Sequence, residues 1–253
     1  MYPARPHSRR RFLRRSAAAA VGGLTLPYLL PAGVLGAPGK PGANERVGVA
    51  YIGTGRRARQ MFSDFRSLPQ GPAGYRLVAC SDLWPKKAED YVREFEKEVL
   101  KGSAGKVAIF QDYRKLLEAR DVDGVLIATT EHFRAGPCIH ACQAGKDVYA
   151  EKPLCLTIRE GRAIVNAVRK YGRIFQTGTQ QRSMQRNRHA AELVRNGRIG
   201  KVHTVVCQNW VSSRPYSDFK IPTEPVPDGL DWNAWCGQTE PVPFSMNIYL
   251  TYN

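Results

Sequence analysis

The sequence has no cysteines in Cys-x-x-Cys spacing, no Cys/His set at zinc-finger intervals, and no uninterrupted apolar run long enough to cross a bilayer. Acidic residues are scarce as well, 22 Asp+Glu against 38 Lys+Arg, for a formal charge of +16. Each shortage excludes something. The cysteine spacing argues against a zinc module, no metal site is expected, and a mean hydropathy of −0.39 excludes a polytopic membrane protein. The 253 residues, 43% of them hydrophobic and 9% aromatic, suffice for one large domain or two small ones and exclude a simple disordered tail. The basic excess forms no Lys/Arg stripe interleaved with aromatics and no nucleic-acid motif, so no nucleic-acid partner is expected. It reads as a solvated surface that favours anionic ligands.

Part of that charge is an address. Arg5, Arg9, Arg10, Arg11, Arg14 and Arg15 fall in the first fifteen residues with no acid among them, and removing these six charges leaves +10. Ser8-Arg9-Arg10-Arg11-Phe12-Leu13 precedes a mildly apolar stretch over 17–30, then small residues and prolines through Gly42. This order resembles a bacterial twin-arginine signal, so residues 1–42 are expected to be signal and linker. The resemblance implies the export machinery as a partner, a periplasmic or secreted protein that is folded and cofactor-loaded before export, and no stable membrane span after processing. Cys80, Cys138, Cys142, Cys155, Cys207 and Cys236 mostly sit in apolar runs and read as buried free thiols.

From Arg46 onward, short apolar runs alternate with amphipathic stretches. Strands are expected over 47–52, 75–81, 107–110, 124–128, 147–150 and 173–177, with helices over 56–65, 86–100, 113–119, 136–144, 158–171 and 186–196. Continuous apolar strands separated by helices indicate an α/β, doubly wound parallel sheet. Residues 201–211 read as a long strand opening a second sheet. The expected division is a dinucleotide-binding Rossmann domain over 43–178, then over 179–253 the start of an incomplete α+β substrate domain.

The strongest local signal is a strand running into Gly53-Thr54-Gly55-Arg56-Arg57-Ala58, a G-x-G-x-x-A turn followed by a helix. Gly53 permits the tight turn, Gly55 lets the backbone approach a pyrophosphate and Ala58 permits close helix packing. Gly53, Thr54, Gly55, Arg56 and Arg57 are therefore cofactor-binding candidates. The second strand ends at Asp82, whose carboxylate suits ribose hydroxyls and repels a 2′-phosphate, which favours NAD. Ser81, Lys86 and Lys87 lie close by and could serve a phosphate, which keeps NADP open. Two further polar clusters follow apolar strands, Thr129-Thr130-Glu131-His132-Phe133-Arg134 and Glu151-Lys152-Pro153. Both should emerge at the carboxyl edge of the sheet.

With the G-x-G-x-x-A turn, Glu151-Lys152-Pro153, Thr157-Ile158-Arg159-Glu160-Gly161-Arg162, Gly178-Thr179-Gln180-Gln181-Arg182-Ser183 and Gly197-Arg198-Ile199-Gly200-Lys201-Val202, the chain resembles the Gfo/Idh/MocA oxidoreductases. The resemblance implies a tightly held NAD(P) and hydride transfer to or from a sugar, cyclitol or glycoside. It implies that Glu151 binds around the nicotinamide ribose, that Lys152 faces substrate and moves a proton, and that Pro153 makes a turn through a cis bond. Thr129, Thr130 and His132 would line the cofactor, with Gln180 and Arg182 near the substrate mouth; Lys152 and His132 are the catalytic candidates. Related secreted members commonly read T-P-D-H-W-H where this chain has Thr129 to Arg134, and Arg134 cannot shuttle a proton at ordinary pH. Asp231-Trp232-Asn233-Ala234-Trp235-Cys236-Gly237 resembles the approach to the family's glycine-rich segment, beyond which the family carries its catalytic histidine and aspartate. The alternative expectation is thus a truncated nucleotide-binding module with little or no catalysis. Homo-oligomer formation stays open.

Overall fold

The computed structural model describes residues 46–67, 74–100, 106–208 and 221–251. The signal expected over 1–42 lies outside the described residues. The described residues fall in one compact unit.

Six parallel strands run β1 Val47–Ile52, β2 Tyr75–Ser81, β3 Ala108–Phe110, β4 Gly124–Ile127, β5 Asp147–Glu151 and β6 Phe175–Gly178. They lie in the order β3-β2-β1-β4-β5-β6. The chain winds outward from β1 in one direction and from β4 in the other, so right-handed crossovers place helices on both faces. Helices α1 Arg56–Gln60, α2 Phe62–Arg66 and α3 Pro85–Phe95 join the first three strands, with a π-helical turn Glu96–Leu100 closing α3. α4 Tyr113–Leu117, α5 Glu131–Gln143 and α6 Ile158–Tyr171 follow, then a 3-10 turn Gln180–Ser183, α7 Gln185–Arg195, α8 Trp232–Cys236 and α9 Met246–Thr251.

The central strands β1, β2 and β4 are largely apolar because both of their faces are covered. On one face Tyr51, Phe62, Phe65, Tyr91 and Phe95 interlock around β1 and β2, with neighbouring rings such as Phe62 and Phe95 centred 5.3 Å apart. On the other, Ile127, Val125, Cys138, Ala141 and Ile164 pack β4 and β5 against α5 and α6. Helix ends follow their sequence signals. Thr157 and Glu160 form a reciprocal capping box at the start of α6, and Gly172 ends it with φ +59.

Four expectations change. The helix expected over 56–65 breaks at Met61 into α1 and α2. The last strand starts two residues later and ends one residue later than expected, and α5 begins at Glu131 rather than Gly136. Residues 202–208 form no strand, since a strand needs a neighbour for its backbone groups and the described residues offer none there. The rest of that expected strand, 209–211, lies outside the described residues.

The glycine at the start of β1 is fixed by proximity. A Cβ on Gly48 would stand 1.9 Å from the Asp121 carbonyl oxygen, while the Gly48 N–H donates to Asp123 Oδ2 at 2.6 Å. Gly48→Ala should lower stability by roughly 3 kcal/mol through overpacking, read as a shift of the urea midpoint at unchanged slope. Burial also pushes the Cys138 thiol up to about 12, whereas Cys207 is exposed. A maleimide at neutral pH should label Cys207 and spare Cys138 until denaturant is added, as mass spectrometry of tryptic peptides would show.

Candidate functional site

The groove lies where strand order reverses, between the carboxyl ends of β1 and β4. Gly53 leaves β1 with φ +85, and its N–H donates to the Ser81 carbonyl at 2.8 Å. A Cβ there would meet the Thr129 nitrogen at 2.9 Å and the Ala128 carbonyl carbon at 3.0 Å, so only glycine lets the two strand ends approach. Thr54 is buried next to it, and its N–H and hydroxyl both donate to Asp82 Oδ2, at 2.9 and 2.8 Å. The Trp84 N–H donates to Asp82 Oδ1 at 3.0 Å. Three of roughly four accepting positions on this carboxylate are thereby filled, which fixes its direction and leaves room for a ligand hydroxyl. Arg59 braces the turn from behind, donating to the Thr54 carbonyl and, at 2.6 Å, to Glu94.

Gly53, Gly55, Asp82, Thr129 and Thr130 line one groove. Its enclosed part is only about 50 Å³, so a molecule the size of a dinucleotide would occupy solvent-open space along it. The Thr129 hydroxyl is buried with no protein partner among the described residues. That orphan, the accepting position on Asp82 and the helix start at Arg56, whose first N–H groups lack intrahelical acceptors, fit a dinucleotide's hydroxyls and phosphates.

At the end of β5, Glu151 is almost wholly buried and pairs with Arg57, Nη2 to Oε1 at 2.7 Å. The hydrogen bond to Glu151 pushes the Arg57 guanidinium above its ordinary value. Glu151 Oε2 accepts the Lys152 N–H at 3.2 Å, and the Lys152–Pro153 bond is cis. Gly178 gives this carboxylate its space, because a Cβ there would sit 2.9 Å from Glu151 Oε1 and from the Tyr149 hydroxyl.

The remaining candidates are dispersed. Lys152 and Arg56 are both exposed. The His132 Nε2 lies 2.8 Å from the Trp235 carbonyl, to which it donates. Gln180 shares with Arg57 and Tyr149 a separate, larger pocket of about 780 Å³, while Arg182 lines a depression against α7.

Sequence reasoning passed over Arg134 because it cannot relay protons, yet this side chain is buried and donates to the carbonyls of both Thr129 and Pro153. Burial pulls its guanidinium below the ordinary value. It staples the loop after β4 to the loop after β5. Its place one turn into a helix that follows two threonines was the available signal. Trp235 and Tyr249 also reach the groove, from more than a hundred residues beyond the glycine turn, and no local pattern announces such contacts.

A family model described as an oxidoreductase family with an NAD-binding Rossmann fold matches residues 47–179, just over half of the chain. The chain belongs to the Gfo/Idh/MocA oxidoreductase family. Among relatives, the 2,7-anhydro-N-acetylneuraminate hydratase of Mediterraneibacter gnavus is 26% identical over 178 residues, 69% of this chain and 43% of that protein. The myo-inositol 2-dehydrogenase of Thermotoga maritima is 30% identical over 129 residues, 51% of this chain and 36% of that one. The solved myo-inositol 2-dehydrogenase from Lactobacillus plantarum superimposes with a TM-score of 0.52 at 26% identity, over 62% of this chain and 43% of that chain. The scyllo-inositol dehydrogenase from Lactobacillus casei, solved with NAD(H) and scyllo-inositol, shares the fold at a TM-score of 0.52 and 23% identity, over 61% and 42%. This Gfo/Idh/MocA chain spans less than half the length of each.

Arg134→Met should destabilise the chain by roughly 1–2 kcal/mol, because the Thr129 and Pro153 carbonyls lose their shared donor, and Arg134→Lys should recover only part of it. Urea denaturation followed by circular dichroism measures both.

Proposed function

We propose that this chain is the nucleotide-binding part of an NAD-dependent oxidoreductase that moves a hydride between the nicotinamide C4 and a carbon of a sugar, cyclitol or glycoside. The observation that carries the reading is Asp82, locked by Thr54 and Trp84 at the end of β2 beside the Gly53 turn. A carboxylate held there accepts ribose hydroxyls and opposes a 2′-phosphate, which supports NAD over NADP.

When bound, the nicotinamide supplies the hydride acceptor or donor. The protein's part is placement and proton handling. Gly53 and Gly55 open the backbone to the diphosphate, and the orphan Thr129 hydroxyl and Thr130 line the path toward β4. Glu151, held by Arg57 and accepting the Lys152 N–H, would bind around the nicotinamide ribose. Lys152, at the turn after β5, would exchange the proton of the substrate hydroxyl. His132 steadies the approach by its bond to Trp235. The arginine-rich start of the sequence supports export of the folded, loaded protein, an environment in which a tightly held, internally recycled cofactor is an advantage.

One set of observations favours a second reading, a nucleotide-binding module without turnover. Lys152 is exposed, Gln180 and Arg182 open into separate depressions, and the enclosed groove is small.

The deciding experiment is to denature protein purified without added cofactor and identify the released nucleotide by mass and absorbance. Stoichiometric NAD is expected; no nucleotide, followed by no binding on titration, overturns both readings. Lys152→Ala should then retain nucleotide while abolishing any sugar- or cyclitol-dependent change at 340 nm, and undiminished turnover would remove Lys152 from the chemistry.

A further inference from the structure

Beside Asp82 stands a cation that the proposed NAD preference leaves unexplained. Lys87 lies in the first turn of α3, directly after β2, where sites that accept a 2′-phosphate place a positive side chain. Its backbone N–H is anchored to the Trp84 carbonyl at 2.8 Å, and Trp84 in turn holds Asp82. Yet the Lys87 ammonium lies over the ring of Tyr249, 4.2 Å from the centroid. Tyr249 is itself buried, packed against Trp84, Trp235 and Phe244, and it lines the same groove as Asp82. Burial lowers the Lys87 pKa, with the Asp82 charge acting against that shift, which is consistent with an ammonium drawn out of water onto an aromatic face while still within reach of the carboxylate's field.

We infer that Tyr249 is a specificity-determining residue: by holding the Lys87 ammonium on its ring, it withholds from the adenosine ribose a cation that would otherwise neutralise a 2′-phosphate. Asp82 supplies the repulsion and Tyr249 removes its antidote. A cation desolvated against a ring gains more from that contact than an exposed one, so the lysine stays there unless the ring is taken away. Lys86, its neighbour, is exposed and has no such ring contact among the described residues.

The inference rests on the nucleotide-binding reading above, and the test separates the two. Dissociation constants for NAD+ and NADP+ are measured by calorimetry on the full chain stripped of nucleotide, for wild type, Tyr249→Leu, Lys87→Ala and the double variant. Leucine fills most of the ring's volume and offers no π face. Wild type should prefer NAD+ at least tenfold. In Tyr249→Leu the NADP+ constant should fall about tenfold, the size of one charge-assisted contact, while that for NAD+ changes by less than about threefold. Adding Lys87→Ala should erase that gain, and Lys87→Ala alone should leave both constants unchanged. An unaltered NADP+/NAD+ ratio in Tyr249→Leu with NAD+ binding intact overturns the inference and spares the function. If Tyr249→Leu does not fold, the single Lys87→Ala variant decides: a loss of NADP+ affinity means the lysine already serves the phosphate and the inference fails, and no change sustains it. Wild type that binds neither nucleotide overturns the function and the inference together.

Discussion

At the end of β1 the backbone passes so close to Ala128 and Thr129 that no side chain fits between them. This approach at Gly53 is the constraint on which the groove depends. It brings the carboxyl ends of β1 and β4 together where the sheet reverses its winding, directs Thr54 toward Asp82, and starts α1 at the groove's edge. A bulkier residue would part the strand ends and release Asp82 and Thr129 from their common wall.

Around that point, three arginines do work that the glycine motif leaves undone. Arg59 clamps the turn through the Thr54 carbonyl, Arg57 neutralises the buried Glu151, and Arg134 joins the two loops after β4 and β5 through their carbonyls. Arg59 and Arg134 thereby satisfy carbonyls that the irregular backbone leaves over, while Arg57 answers a buried side-chain charge. The site is thus rigid at its nucleotide end, while Lys152 remains in water.

The sheet was legible because a strand buried on both faces must be apolar along its length; 47–52 and 75–81 needed no other clue. The glycine turn and Asp82 were legible because their spacing encodes a backbone path. Arg134 was passed over because its identity was weighed as proton chemistry rather than as a donor for stranded carbonyls. The expected strand over 201–211 looked sound by composition, but pairing is a property of two segments and only one was in view. The contact between Lys87 and Tyr249 spans 162 positions, so no window along the chain contains it.

α7 has no buried residue, and its Leu193 and Val194 face solvent, as do Ile199, Val202, Val205 and Val206 after it. Among the described residues such a helix is held by its own backbone hydrogen bonds and little else, and eleven residues are too few to persist well on that basis. It can therefore open and reclose without disturbing the sheet. Its amides should trade hydrogen for deuterium on the timescale of helix fraying, while those of β1 wait for the whole domain to unfold, so the chain behaves as a slow-exchanging sheet carrying a fast-exchanging appendage.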